Sequence, residues 1–340
     1  RYSFIQDLFI QVLGATEENK IRNIPDLSER EGARMNRLMS EGKNLEPKFD
    51  FVLIDEGQDW TEGQRDFIFQ LFGPKRVVVA DGVDQFVGQD RCNWDRGNIP
   101  INRKHGLQAS RRTKAATCQT VAEIAHELGL SDWDLTPDPN THGGRFTVIV
   151  EPDARLAVDR GLAIIESDQR EESTVEASDN LVCLPSSKMA MGTNYSELFD
   201  QAIEKSDRDS WRGFEPEDRR IYPVRESQLR AVQYHSCRGM EGWTTVCFGL
   251  DTFFDFQHRN PRIGGAPISE QMALQLESTL EDDIAKEARL FAANWLMIPL
   301  TRSIDHLVIH LTDEKSELGE ILWNINERLP GSIEWIKPIC

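Results

Sequence analysis

Two apolar runs, each delivering acidic or amide side chains at its end, limit what this chain can fold into more than any other feature. The first, KFDFVLIDEGQD over residues 48–59, is made nearly continuous by Phe49, Phe51, Val52, Leu53 and Ile54. Such a run suits a strand buried on both faces of a parallel sheet. The second, RVVVADGVDQF, predicts a strand over 76–80 whose end presents Asp81, Asp84 and Gln85. Between them Phe67, Ile68, Leu71 and Phe72 line one face of a short helix stopped by Gly73-Pro74, and Thr61 and Gln64 stand at capping-box spacing. Strand, helix and strand in this order are the skeleton of a nucleotide-binding α/β domain. In such sheets ligands bind beyond the carboxyl ends of the strands, where Asp55 and Glu56 emerge. Two adjacent carboxylates can divide labour there, one holding Mg²⁺ and the other polarising an attacking water. The competing reading is that they only precede and cap the next helix.

The flanking segments carry fewer signals. Residues 1–14 have Phe4, Ile5, Leu8, Phe9, Val12 and Leu13 at helical spacing and end on a glycine, as a helix packed on a partly missing sheet would. A second helix is expected beyond LQASRRT, with Cys118, Val121, Ala122 and Ala125 as its apolar stripe. Arg111 and Arg112 stand at its start, the unfavourable end of the helix dipole, so an anion is expected beside them. A turn-rich linker is expected over 131–142, then strands over 145–151 and 180–184 with helices between and after, and a charged loop over 206–220.

In QYHSCRGMEGWTTVCFGLD a strand over 229–234 and a buried strand over 245–250 flank a glycine-dependent turn, where Gly239 permits close approach of a ligand and Glu241 is a hydrogen-bond acceptor. A long helix is expected over 268–295, and Arg302 sits just before a strand over 307–311. His306 and His310 do not converge on a strand, which argues against a metal pair. Trp323, Leu329 and Trp335 fall in a closing helix and tail.

A chain of 340 residues can bury two cores, so two domains are expected. The net charge of -18 argues against a surface that binds nucleic acid everywhere, while leaving room for a local basic groove. The six cysteines show no zinc-type spacing and read as reduced thiols of a cytoplasmic protein. No apolar run reaches membrane-spanning length.

These stretches occur in the order, and with nearly the spacing, of the motifs of the superfamily 1 DNA and RNA helicases, most nearly the UvrD/Rep-like group. DEGQD resembles the Walker B box, ADGVDQF the third motif with one extra residue, and LQASRRT the fourth, with Ser110 and Arg111 replacing the usual Asn and Tyr. QYHSCRGMEGW resembles the fifth, with Gln233 for Thr and Arg238 for Lys, and LTRS the sixth. The resemblance implies an α/β protein of two RecA-like parallel-sheet motor domains, the first incomplete at its N-terminus, with ATP between them. Residues 1–108 would hold the remainder of the first domain, 109–330 the second and 331–340 a tail. On this carry-over Asp55 coordinates Mg²⁺, Glu56 activates the hydrolytic water, Gln85 senses the γ-phosphate, and Arg112 and Arg302 are arginine fingers. Gly239 and Glu241 face ribose and phosphates, while Trp60, Phe86, Tyr234, His235 and Trp243 are candidates for contact with single-stranded DNA or RNA.

One departure stands out: no G-x-x-x-x-G-K-[ST] loop occurs in the 340 residues. In this family that loop precedes the Walker B strand and supplies most phosphate contacts, so ATP binding by this chain alone is expected to be very weak. Two readings follow. One is an ATP-dependent helicase or translocase whose first motif lies in a missing N-terminal segment. The other is a helicase-like regulatory subunit that hydrolyses nothing and acts through a partner protein.

Overall fold

The computed structural model describes residues 2–41, 50–80, 92–94, 109–130, 133, 135–215, 218–220, 225–260, 262–263, 266–267 and 278–338. The chain divides into two compact units, Arg1–His105 and Gly106–Cys340.

In the first unit, α1 (Tyr2–Leu13), α2 (Ala15–Arg22) and α3 (Leu27–Glu41) precede the short parallel pair β1 (Val52–Ile54) and β2 (Val77–Val79), joined through α4 (Glu62–Phe72). The expected capping box forms: Gln64 N donates to Thr61 Oγ1 at 3.2 Å and Thr61 N to Gln64 Oε1 at 2.9 Å. Gly73, at φ 76°, ends α4. Ile5 and Phe9 of α1, Leu38 of α3, Ile54 of β1, and Phe67, Ile68 and Phe72 of α4 form one core. A buried ion pair between Arg34 and Glu18, 2.5 Å apart, ties α3 to α2.

Burial of β1 on both faces, expected from its apolar run, is not what forms. Leu53 is 79% exposed, and Phe51 and Val78 are exposed beside it. Alternation sends Val52, Ile54, Val77 and Val79 toward the helices, and no second layer of described residues covers the opposite face.

The second unit holds a seven-stranded sheet in the order β11-β3-β10-β7-β4-β6-β5, every pairing parallel. Its strands are β3 (Arg145–Val150), β4 (Leu181–Leu184), β5 (Asp209–Gly213), β6 (Gln228–Gln233), β7 (Gly242–Cys247), β10 (Ser303–Leu311) and β11 (Glu334–Ile336). A separate two-stranded pair, β8 (Arg262–Ile263) and β9 (Ala266–Pro267), is antiparallel. The central strands are buried on both sides, as strands covered by two helical layers must be. Helices α6 (Ala154–Glu171) and α7 (Tyr195–Lys205) pack Ala157, Val158, Leu162, Phe199 and Ile203 against Val182, Leu184, Val246 and Val308. Helices α5 (Ala115–Glu127), α8 (Leu250–Arg259), α9 (Ser278–Leu300) and α10 (Glu317–Arg328) pack with one another, and α5, α8 and α9 also meet β10. A parallel sheet sheathed in helices is compatible with the RecA-like domain that the resemblance implies.

Three differences from the sequence expectation have local causes. The segment over 206–220 contains an edge strand, β5, whose polar DSWRG sequence needs burial on only part of its surface. The turn-rich stretch read as a linker belongs to the second unit: Ser110 N donates to Thr136 O at 2.7 Å and Asp138 N to Ser110 O at 3.1 Å. The apolar run after Gly242 ends as a strand at Cys247, because Gly249, at φ 57°, turns the chain into α8. Residues 268–277, read as the start of the long helix, lie outside the described residues.

Candidate functional site

In the first unit, the chain leaves β1 through a short turn built almost entirely from backbone. Ala80 N donates to Ile54 O and Gly57 N to Ala80 O, both at 2.8 Å. Glu56 between them takes a left-handed conformation, φ 52° and ψ 49°, which is sterically costly for a residue with a side chain. Strain of this kind concentrates at functional sites and costs about 1–3 kcal/mol. Gly57 fits where nothing larger would: a Cβ would lie 2.3 Å from Val79 Cγ1 and 2.9 Å from Trp94 Nε1. The buried Gln58 amide donates to Glu56 Oε2 at 2.6 Å, fixing that carboxylate by a charge-assisted bond.

Asp55 is exposed, and its Oδ1 accepts only the local Glu56 N–H at 3.0 Å among the bonds described. An exposed carboxylate at a strand end suits a hydrated Mg²⁺ held through one ligand. Among the described residues no group of three or more His, Cys, Asp or Glu could hold a metal ion. Trp60 is half-buried, edge-on to Trp94 at 6.0 Å, and Trp94 Nε1 donates to Gly57 O at 2.8 Å, so this aromatic pair braces the turn. Gln85 and Phe86 lie outside the described residues.

In the second unit, four of the expected residues come together at the amino ends of β7 and β10. The chain runs from the end of β6 to the start of β7 in eight residues, 234–241, with Gly239 at φ 75° making the last turn. Met240 N donates to Cys237 O at 3.1 Å, and Gly242 N to Arg302 O at 2.9 Å. Glu241 projects from this segment, and its Oε2 meets Arg112 Nε at 2.8 Å. Both side chains are about half exposed, at 41% for Arg112 and 53% for Glu241. Such a surface pair contributes only about 0–1 kcal/mol, so an incoming anion can displace it cheaply. Arg111 likewise faces Asp138 at 3.5 Å. The anions beside the two arginines are therefore carboxylates of the chain itself.

Arg302 sits inside the unit rather than at the surface expected of a finger. It is 2% exposed, with Nε donating to Ile298 O at 2.8 Å, Nη2 to Thr301 Oγ1 at 2.8 Å and Nη1 to Met240 O at 3.4 Å. Tyr234 is also enclosed: it is 0% exposed, donates to Phe248 O at 2.6 Å and packs on Phe253 with ring centroids 4.4 Å apart. Its hydrogen bond and stacking surface are spent in the core, which leaves none for a base. His235, next along the chain, is exposed, and burial of part of the ring followed by the Arg219 charge holds its pKa below the ordinary value. Trp243 carries Lys114 Nζ over its ring at 4.6 Å, and that ammonium also meets Asp305 at 2.6 Å.

A cavity of about 660 Å³ opens beside this cluster, lined in part by Gly239, Met240, Glu241, Trp243 and Arg230. Arg230 was not singled out in the sequence, although a charged residue inside the strand LRAVQ is a signal. It is 6% exposed and donates Nη2 to Glu241 O at 2.6 Å and Nε to Asn180 O at 3.3 Å.

The two histidines on β10 are satisfied separately. His306 Nδ1 meets Asp168 Oδ2 at 2.7 Å and its Nε2 meets Thr147 Oγ1 at 2.8 Å. His310 Nδ1 accepts from Gly249 N at 2.9 Å and its Nε2 faces Glu151 O at 2.8 Å, the bonding of a neutral ring, and burial lowers its pKa in the same sense. Cys92, Cys118, Cys183, Cys237 and Cys247 are buried free thiols. Among the described residues no helix is long and apolar enough to cross a membrane.

No protein-family model matches the chain, and no curated protein matches it. Among solved structures it is similar to the C-terminal domain of a possible DNA helicase from Lactobacillus plantarum WCFS1, at 11% identity and a TM-score of 0.35, covering 66% of this chain and 99% of that one. That likeness is too slight to carry an argument. The structure itself defines an α/β protein with a seven-stranded parallel sheet.

Proposed function

We propose that the chain belongs to an ATP-dependent helicase or translocase of superfamily 1, which couples ATP hydrolysis to movement on single-stranded nucleic acid. The observation that carries this reading is the meeting of Arg112 and Glu241, far apart in sequence, as an exchangeable pair on one surface of the second unit. Both belong to motifs that the family uses on the nucleotide, and the pair gives Arg112 an anionic neighbour that a phosphate can replace.

In this reading Asp55 holds the Mg²⁺, which neutralises charge on the transferred phosphoryl group when bound. Glu56, aimed by Gln58, orients and deprotonates the attacking water. Arg112 contacts the phosphates, and Glu241, once released, accepts from the ribose. The internal bonds of Arg302 favour a role in holding the 240–242 segment over direct contact with phosphate. Exposed His235 and half-buried Trp243 are the better candidates for nucleic-acid contact, since Tyr234 is enclosed.

A helicase-like subunit that hydrolyses nothing is the second reading. It is favoured by Arg302, whose guanidinium is committed to the interior. ATPase activity of the natural full-length gene product, with and without single-stranded DNA, separates the two. Stimulated turnover supports the motor, and its absence the subunit.

A further inference from the structure

Two buried arginines converge from different elements on the main chain of one dipeptide. Arg302, between α9 and β10, donates to Met240 O at 3.4 Å, and Arg230, in β6, donates to Glu241 O at 2.6 Å. On the solvent side the same dipeptide presents the Glu241 carboxylate to Arg112. The segment needs such anchoring. Gly239 precedes it with no atom within 4 Å of where a Cβ would stand, and the 660 Å³ cavity lies beside it. A turn that begins at a glycine and borders open space would swing, taking the carboxylate with it.

Burying a guanidinium is costly unless its donors are used, and Arg230 uses two of them to join Asn180, just before β4, to Glu241. Asn180 in turn accepts from Thr244 N at 3.1 Å through its side chain, so β4, β6 and the start of β7 are laced together at this end of the sheet. We propose that Arg230 is a positioning residue. It fixes the Glu241 backbone so that the carboxylate stands where Arg112, and in turn the nucleotide, meets it. The inference rests on the nucleotide reading above for its function and on geometry alone for the clamp. The planar fork of arginine serves two carbonyls at once, whereas a lysine ammonium, a single point charge on a flexible four-carbon stem, does not.

The clamp can be tested without nucleotide by labelling the eight tryptophans of the 340-residue chain with 5-fluorotryptophan and assigning Trp243 by its loss in Trp243→Phe. The wild type should give one narrow Trp243 fluorine resonance. Arg230→Met should shift or split it, and Arg230→Lys, which keeps the charge if the larger change unfolds the unit, should do so to a smaller extent. An unchanged Trp243 resonance in a folded Arg230 variant overturns the clamp. In the full-length gene product, Arg230→Met should raise KM for ATP about 10-fold, with a smaller change in kcat, because a contact is misplaced rather than removed. In a Glu241→Ala background the same substitution should add nothing. An additional rise there would show that Arg230 acts through something other than Glu241. If the full-length wild type turns over no ATP, the nucleotide reading falls and the fluorine spectrum alone decides the clamp.

Discussion

The two units place their chemistry by opposite means. At the carboxyl end of β1 the acidic side chains are set by backbone: a left-handed Glu56, a glycine with no room for a Cβ, and two main-chain bonds to the neighbouring strand end. At the amino ends of β7 and β10 the charged groups are set by side chains, with buried Arg230 and Arg302 holding carbonyls and exposed Arg112 meeting Glu241. A site made of backbone is written locally and is brittle toward one added methyl. A site made of long-range side-chain bonds tolerates local change and depends on the whole sheet.

Substitutions can sharpen this contrast. Its largest expected consequence is chemical: Glu56→Gln should lower the single-stranded-DNA-stimulated kcat of the full-length protein about 10²–10⁴-fold with an unchanged melting temperature. Turnover within a factor of two of wild type would remove Glu56 from the chemistry. Gly57→Ala comes next. With Val79 Cγ1 only 2.3 Å from the added carbon, denaturant unfolding of the first unit should show a loss of about 1–3 kcal/mol.

Asp168→Asn probes the second unit through pH. Burial alone would raise the Asp168 pKa, but hydrogen bonds from His306 and Thr244 and the charges of His306 and Arg145 outweigh it and leave the value lowered. A carboxyl depressed in the folded state adds stability above its unfolded pKa, near 3.9, and loses it as pH falls through the folded value. Asp168→Asn should therefore reduce stability at neutral pH and flatten the acid limb of the unfolding curve below about pH 4. An acid limb identical to wild type would refute the assignment. The smallest effect belongs to Thr245→Val. The buried Thr245 hydroxyl has no partner among the described residues, so an apolar isostere should change stability by less than about 0.5 kcal/mol or improve it.

The same contrast explains what the sequence could show. The run over 48–59 gave β1, its acidic end, the capped helix after it and the second strand, because each rests on neighbours in the chain. The central strands of the second unit were legible for the same reason. Their order was not, since β4 lies between β6 and β7 through pairings that no local pattern encodes. Nor could the sequence tell which motif residues are enclosed. Tyr234 stands beside His235 in one motif, and Arg302 and Arg112 belong to two others, and only packing separates the buried members from the exposed ones. The edge strand β5 was missed because half-exposed strands carry the composition of loops.

The most direct test of the motor reading is ATP hydrolysis by the natural full-length protein, with and without single-stranded DNA, in the wild type and in Arg112→Ala. The account predicts DNA-stimulated hydrolysis in the wild type and a loss of about 10³-fold or more in kcat for the variant, the scale of an arginine that stabilises transferring phosphate. Stimulated hydrolysis that survives Arg112→Ala unchanged, or a wild type that hydrolyses no ATP, would contradict it.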